Sequence, residues 1–383
     1  MPLHFTKEEL ADRRRRTCQS MAAARLDGLL CFRQESMFWL TGYDTFGYVY
    51  FQCLYLGVDG RMALLTRAPD LRQAQQTSVI EDIRIWVDRP DISPAVQLRD
   101  LLDELGCRNK QLGIEWEAYG LTASNGRAVE ASLSDFCMLE DASWLVSRLR
   151  LIKSPAEMTY VRQAGCLADA AWQAAVAAAS PNAFEGDILA DMQSAVFRGG
   201  GDYPGNEFII GSGPQALLCR YFTGRRYLDA QDQLTLEFAG TYRRYHACLM
   251  RTLSIGPPPS RQIDMHKVAL DSLGAAKDAL RPGRPIGEVF DAHARVIDAA
   301  GMQKHRLNAC GYSLGTTYAP NWMDWPMFFH GNPVEAAPGM VFFIHVIIFD
   351  SDAGLAMTSG QTVAVTETGH EVLTHASLDL TVR

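Results

Sequence analysis

Beyond residue 154 the sequence runs twice through one order of elements, two helices followed by long apolar strands. An alanine-rich helical pattern reaches residue 179 and a second covers 184–197; apolar strands follow at 207–211, 216–222, 233–240 and 245–255. Two more helices, 260–280 and 286–300, then lead into strands at 339–349 and 361–367. Such a repeat predicts a pseudo-twofold α+β domain whose strands form a curved antiparallel sheet. Its beginning is marked locally. Ser154 can cap a helix, Pro155 suits the first helical position, and Glu157 completes a capping box.

Ahead of that junction helices and strands alternate: a helix over 7–26, strands at 26–32, 51–60 and 61–67, a helix over 93–105 and a strand at 111–116. The pattern predicts a smaller α/β domain over residues 1–148, with the larger domain over 149–383. With 48% hydrophobic and 21% charged residues, the chain can bury the cores that two domains need.

Charge narrows the partners. A net charge of -8 excludes a general affinity for nucleic acid, which needs clustered base. The run Arg13 to Arg16 reads as a solvated helix face behind Glu8 and Glu9. No apolar stretch is long enough to span a membrane, and no secretory-type run follows the N-terminal basic cluster. Nine cysteines without a CxxC pair fit a reducing compartment. The expectation is a cytoplasmic protein. Gly199-Gly-Gly201 and Gly211-Ser-Gly213 lack the spacing of a dinucleotide fingerprint and read as turns.

Four segments in order carry a resemblance: Arg148 to Glu157, LEFAGTYRRYHACLMRTLSIG (236–256), CGYSLGTTY (310–318), and PGMVFFIHVIIF (338–349) with TVAVTETG (362–369). Together they resemble the creatinase/prolidase/aminopeptidase P family, whose larger domain has the pita-bread fold and whose smaller one is a creatinase N-terminal-like α/β domain. The strings Leu40-Thr-Gly-Tyr-Asp44, Gly200-Gly-Asp-Tyr-Pro204 and Cys310-Gly-Tyr312 are similar to the ectoine-hydrolase branch. The resemblance implies a homodimer in which the segment Met37–Phe46 reaches the other subunit's pocket.

Metal-using relatives hold two divalent cations with two aspartates, a histidine and two glutamates, since dications need converging charged oxygens. At those positions this sequence carries Glu237, Cys248, Tyr312, His345 and either Gly360 or Gln361. Losing the paired carboxylates argues against a dinuclear site and implies hydrolysis without metal, as in creatinase and the ectoine hydrolases. A single zinc on Glu237, Cys248 and His345 is the alternative.

Each candidate has two readings. Glu237 lies in an apolar strand, so it is either a structural ion pair with Arg251 or Arg243, or a substrate-binding or general-base carboxylate. His345 interrupts an apolar strand and either packs or transfers protons. Tyr312 either packs or donates to an oxyanion. Cys248 either replaces aspartate as a core side chain or attacks as a thiolate, should His345 or His246 lower its pKa. Arg220 can hold a substrate carboxylate, with Arg225 and Arg226 as rival anion sites or exposed turn residues. His246, Gln361 and Tyr203 complete the expected pocket, and Arg251 and Thr252 read as structural. The leading expectation is a cofactor-free hydrolase of a small zwitterionic C–N compound. A metal-dependent Xaa-Pro peptidase and a non-catalytic binding protein are the rivals.

Overall fold

The computed structural model describes residues 3–90, 93–222 and 224–383; the first two residues of the N-terminal segment lie outside it. Two compact units divide at Arg150/Leu151.

The first unit runs α1 (Lys7–Ala23), β1 (Gly28–Cys31), α2 (Gln34–Thr41), β2 (Cys53–Gly57), β3 (Met62–Arg67), α3 (Leu71–Thr77), β4 (Asp82–Trp86), α4 (Pro94–Glu104), β5 (Gln111–Ile114), α5 (Ala123–Leu133), β6 (Met138–Asp141) and α6 (Leu145–Arg150). Its mixed sheet has the order β4-β3-β2-β1-β5-β6. The inner strands β1, β2, β3 and β5 are buried on both sides, one apolar cluster including Leu98 and Leu102 of α4 and another Met37 and Leu40 of α2. The basic run on α1 is a solvated face only in part: Arg15 is exposed and pairs with Asp12, but Arg13 is buried. Arg13 is 0% exposed, donates to the Trp39 carbonyl, pairs with Glu9, and stacks over Phe5 and Trp39. A planar guanidinium with an apolar stem can be buried in this way, which a count of charges does not reveal.

The second unit runs α7 (Pro155–Ala178), α8 (Glu185–Arg198), β7 (Ile209–Ser212), β8 (Asp232–Tyr242), β9 (Tyr245–Ile255), α9 (Ser260–Ala279), α10 (Gly287–Ala299), β10 (Gly311–Ser313), β11 (Asp324–Met327), β12 (Val341–Asp350), β13 (Leu355–Val365) and β14 (His370–Val372). The Ser154/Glu157 capping box opens α7. The sheet order β11-β10-β12-β13-β9-β8-β7 puts strands of the first half beside strands of the second, meeting at β13 and β9, and every named pairing is antiparallel. The strand expected at 216–222 does not form: a 3-10 turn at Gly213–Leu217 opens an irregular excursion, in which the Tyr221 carbonyl accepts from Ile210 N. Gly213 at φ +52 and the following Pro214 break the ladder there.

Strand alternation decides which side chains face helices. On β12, Phe342, Ile344, Val346 and Ile348 join Leu273 of α9 and Ile297 of α10 in one core. On β8, a side chain at Gly240 would meet the Ala164 carbonyl of α7 at 2.0 Å, so that helix rests directly on backbone. The intervening residues, Glu237 on β8 and His345 on β12, therefore face the opposite side of the sheet.

Candidate active site

On that opposite side a cavity of about 330 Å³ opens between β8, β10, β11, β12 and the excursion after β7. Glu237, Tyr312, His345, Arg220 and Cys219 contribute its polar groups; Ile209, Met323 and Ile347 are among its apolar walls. The sheet register explains the convergence. Glu237 stands opposite Met250, Ala239 opposite Cys248, Tyr312 opposite Phe343 and His345 opposite Gly360, so these residues share one face.

Hydrogen bonding orients Glu237. The Trp322 indole N–H donates to the Tyr312 hydroxyl at 2.8 Å, so the tyrosine proton is committed to Glu237 Oε1 at 3.1 Å. An oxyanion donor at Tyr312 therefore does not fit this arrangement. Burial pushes the Glu237 carboxyl up to about 7, opposed by the Tyr312 hydrogen bond and by Arg220. At that position the group exchanges protons near neutrality, which suits a general acid or base. Neither expected structural ion pair forms. Arg251 donates to the carbonyls of Met250, Gly360, Ala376 and Ser377, and Arg243 to the Tyr160 hydroxyl.

His345 is buried, and burial followed by His293 lowers its pKa to about 3, so the imidazole is neutral. Its Nδ1 has no hydrogen-bond partner among the described residues. Arg220 is exposed at the rim of the same cavity.

The remaining expected site residues lie elsewhere. Cys248 is fully buried behind Glu237 and Tyr312, and burial and the Glu237 charge raise its thiol well above the ordinary value. Neither histidine activates it, so the thiolate reading gives way to a packed thiol. His246 is a strut: Nε2 accepts from Gly205 N at 2.8 Å and Nδ1 faces Thr317 Oγ1 at 3.1 Å, while burial lowers its pKa to about 4. Gln361 pairs with Ile344 and so faces the helices, where it accepts from Lys277 Nζ at 2.8 Å. Tyr203 is 74% exposed and packs on Phe197. Arg226 is tied to Asp229, Asp232 and Ser212, and Arg225 is exposed. Trp322, Cys219 and Asn206 escaped the sequence reading; for Trp322 the only available signal was an aromatic residue close after the Tyr312 segment.

The set does not fit a metal pair. Of the two candidates for the second glutamate position, Gly360 faces the cavity side, and a side chain there would meet the Phe343 ring at 2.6 Å. Phe343 thus fills the place of a ligand. Among the described residues, Glu237 is the one carboxylate that lines the cavity. The donor atoms of Glu237, Cys248 and His345 do not all come within 4.8 Å of one another; His305, Asp350 and Asp352 alone meet that condition among the described residues, and they are tied to Arg261 and Lys304. Two dications opposed by a single carboxylate would leave uncompensated buried charge.

Comparison with known proteins places this geometry in a lineage. The ectoine hydrolase of Halomonas elongata is 27% identical over 97% of this chain and 96% of its own. An uncharacterized hydrolase/peptidase of Sinorhizobium fredii is 29% identical over 100% and 99%. The Xaa-Pro dipeptidase of Pyrococcus furiosus is 22% identical over 75% and 80%. Among solved structures, the prolidase of Thermococcus sibiricus superposes with a TM-score of 0.88 at 18% identity, covering 98% of this chain and 99% of that one. The larger unit therefore has the pita-bread fold. The creatinase/prolidase N-terminal domain matches residues 13–152 and metallopeptidase family M24 matches residues 159–367, more than half of the chain. The chain belongs to metallopeptidase family M24, in its creatinase/prolidase/aminopeptidase P group, and is a hydrolase.

Proposed function

We propose that this chain hydrolyses a C–N bond of a small zwitterionic compound, an ectoine-like cyclic amidine or a creatine-like guanidino acid, without metal. The observation that carries this reading is a buried carboxylate, Glu237, oriented by Tyr312 and opening on a cavity of about 330 Å³ with Arg220 at its rim. A buried carboxylate and an exposed guanidinium lining one cavity suit a ligand with a cationic and an anionic end. That volume is near the lower limit of small-molecule sites, about 300 Å³.

In this reading Arg220 holds the substrate carboxylate and Glu237 meets the amidinium or guanidinium. The ionised Glu237 takes a proton from water as the water oxygen adds to the amidine carbon. As the C–N bond breaks, the proton passes to the departing nitrogen, with the neutral His345 imidazole as a second carrier. Holding both charged ends converts attack into a positioned, effectively intramolecular step. The similarity to the Halomonas elongata ectoine hydrolase supports this substrate class.

A second reading, a metal-dependent Xaa-Pro dipeptidase, is favoured by the names of the Pyrococcus relatives; the donor set stands against it. Metal-stripped protein incubated with ectoine, creatine and an Xaa-Pro dipeptide separates the two. Release of a ring-opened or deguanidinated product with no dipeptide cleavage is the expected result. Dipeptide cleavage only after adding manganese, cobalt or zinc would replace the proposal with the peptidase.

A further inference from the structure

Arg220 sits on no regular element, yet the proposed chemistry requires it at one place. The excursion that carries it leaves β7 at Ser212 and returns at Arg225. Both ends are fastened to one side chain. Glu185, the first residue of α8 and 1% exposed, accepts from Ser212 N through Oε1 at 2.9 Å, and from Arg225 N and Arg226 N through Oε2 at 3.1 Å each. Its own amide donates to the Arg226 carbonyl at 3.0 Å. Gly224 packs on the same residue: a side chain there would lie 3.0 Å from the Glu185 backbone carbon and Cβ. Arg226 seals the base from outside by bonding Ser212 Oγ, Asp229 and Asp232.

Three backbone donors converge on two oxygens that contact opposite ends of a loop, so no neutral isostere can serve both ends. A glutamine keeps the shape but turns an NH2 group toward N–H donors at one end, leaving buried donors unsatisfied. Nearer the tip the Tyr221 carbonyl, next to Arg220, accepts from Ile210 N at 3.0 Å, so the excursion is held both at its base and beside Arg220.

We propose that Glu185 is a positioning residue: by holding both ends of the excursion between β7 and β8, it fixes where Arg220 stands and so sets the affinity for the anionic end of the substrate. The inference rests on the reading of Arg220 as the carboxylate anchor. Glu185 touches neither the cavity nor Glu237, so its removal acts on binding and spares the chemical step.

Two variants test it: Glu185→Gln, and the milder Gly224→Ala, which crowds the same junction without removing charge. Hydrogen–deuterium exchange of the unliganded, metal-free protein reads the loop alone. The amides of Ser212, Arg225 and Arg226 are expected to exchange at least about tenfold faster in Glu185→Gln, with the β8–β9 amides unchanged. Ectoine KM and kcat read the consequence: KM rises about tenfold while kcat stays within about twofold. In a double-mutant cycle, Glu185→Gln adds nothing to the KM of Arg220→Gln. Unchanged exchange in both variants overturns the proposal. So does a KM effect that multiplies with that of Arg220→Gln, which leaves the anchor reading intact. Arg220→Gln with unchanged KM overturns the anchor reading and this inference with it.

Discussion

Each unit of the molecule buries one glutamate whose pKa burial pushes up to about 7, and the two do different work. Glu115, at the end of β5, accepts from Phe32 N at 2.9 Å, Arg33 N at 2.8 Å and Ser36 Oγ at 2.5 Å. It satisfies donors at the start of α2, whose own N-cap residue Arg33 offers no side-chain acceptor. Glu237 accepts one hydrogen bond from Tyr312, and its cavity side is open. A raised pKa alone therefore does not mark an active site. Unspent hydrogen-bonding capacity beside a cavity does.

The largest expected effect separates the pair by activity. Glu237→Gln should lower kcat/KM by about 10³-fold or more, since a neutral amide cannot accept the proton of water. Glu115→Gln should leave kcat/KM of the folded protein within about twofold. Comparable losses from both would end the distinction between a structural and a chemical carboxylate.

Stability should separate them in the opposite direction. Glu115→Gln turns an NH2 toward buried N–H donors and should cost about 1–3 kcal/mol in urea unfolding at pH 8. Glu237→Gln removes a group that burial penalises when ionised, so at the same pH it should be neutral or stabilising. The sign follows from linkage. Burial pushes both folded carboxyls up to about 7 from an ordinary value of 4.5, so between those pH values the folded state holds more protons than the unfolded one. Their contribution falls as pH rises through that window. His345 and His246, lowered to about 3 and about 4 from 6.5, act oppositely: their contribution is lost as pH falls below 6.5. The stability gap between Glu237→Gln and the parent chain should accordingly widen in favour of the variant from pH 5 to pH 8.

Smaller effects concern the neighbours of Glu237. Tyr312→Phe removes the hydrogen bond that lowers its pKa, so the acidic limb of the kcat/KM profile should move up by about one pH unit. Cys248→Ala should change kcat/KM by less than about twofold. A loss as large as that of Glu237→Gln would restore the thiol as nucleophile.

Much of this was legible in the sequence because local chemistry determined it. The Ser154-Pro155-Glu157 cap fixes the start of α7, and the repeated helix-helix-strand order fixes the half-to-half sheet. Glu237, His345, Tyr312 and Arg220, named from sequence, line one cavity. What failed to show depends on facing. Gln361 and Gly360 are adjacent, and only the pairing of β12 with β13 tells which faces the helices. His246 and Tyr203 resemble pocket residues by type, but one is spent as a strut and the other lies on the surface. Glu185 carried no signal, because a helix-start glutamate looks like any first-turn acid until the loop it holds is seen.

The account stands on hydrolysis carried by Glu237 without metal. Its most direct test is kcat/KM for ectoine and creatine with protein purified under chelation, metal content measured on the same sample. Turnover that persists with less than about a tenth of a metal ion per chain, and that Glu237→Gln abolishes, is the predicted result. Activity that vanishes on chelation and returns in proportion to added manganese, cobalt or zinc would contradict it.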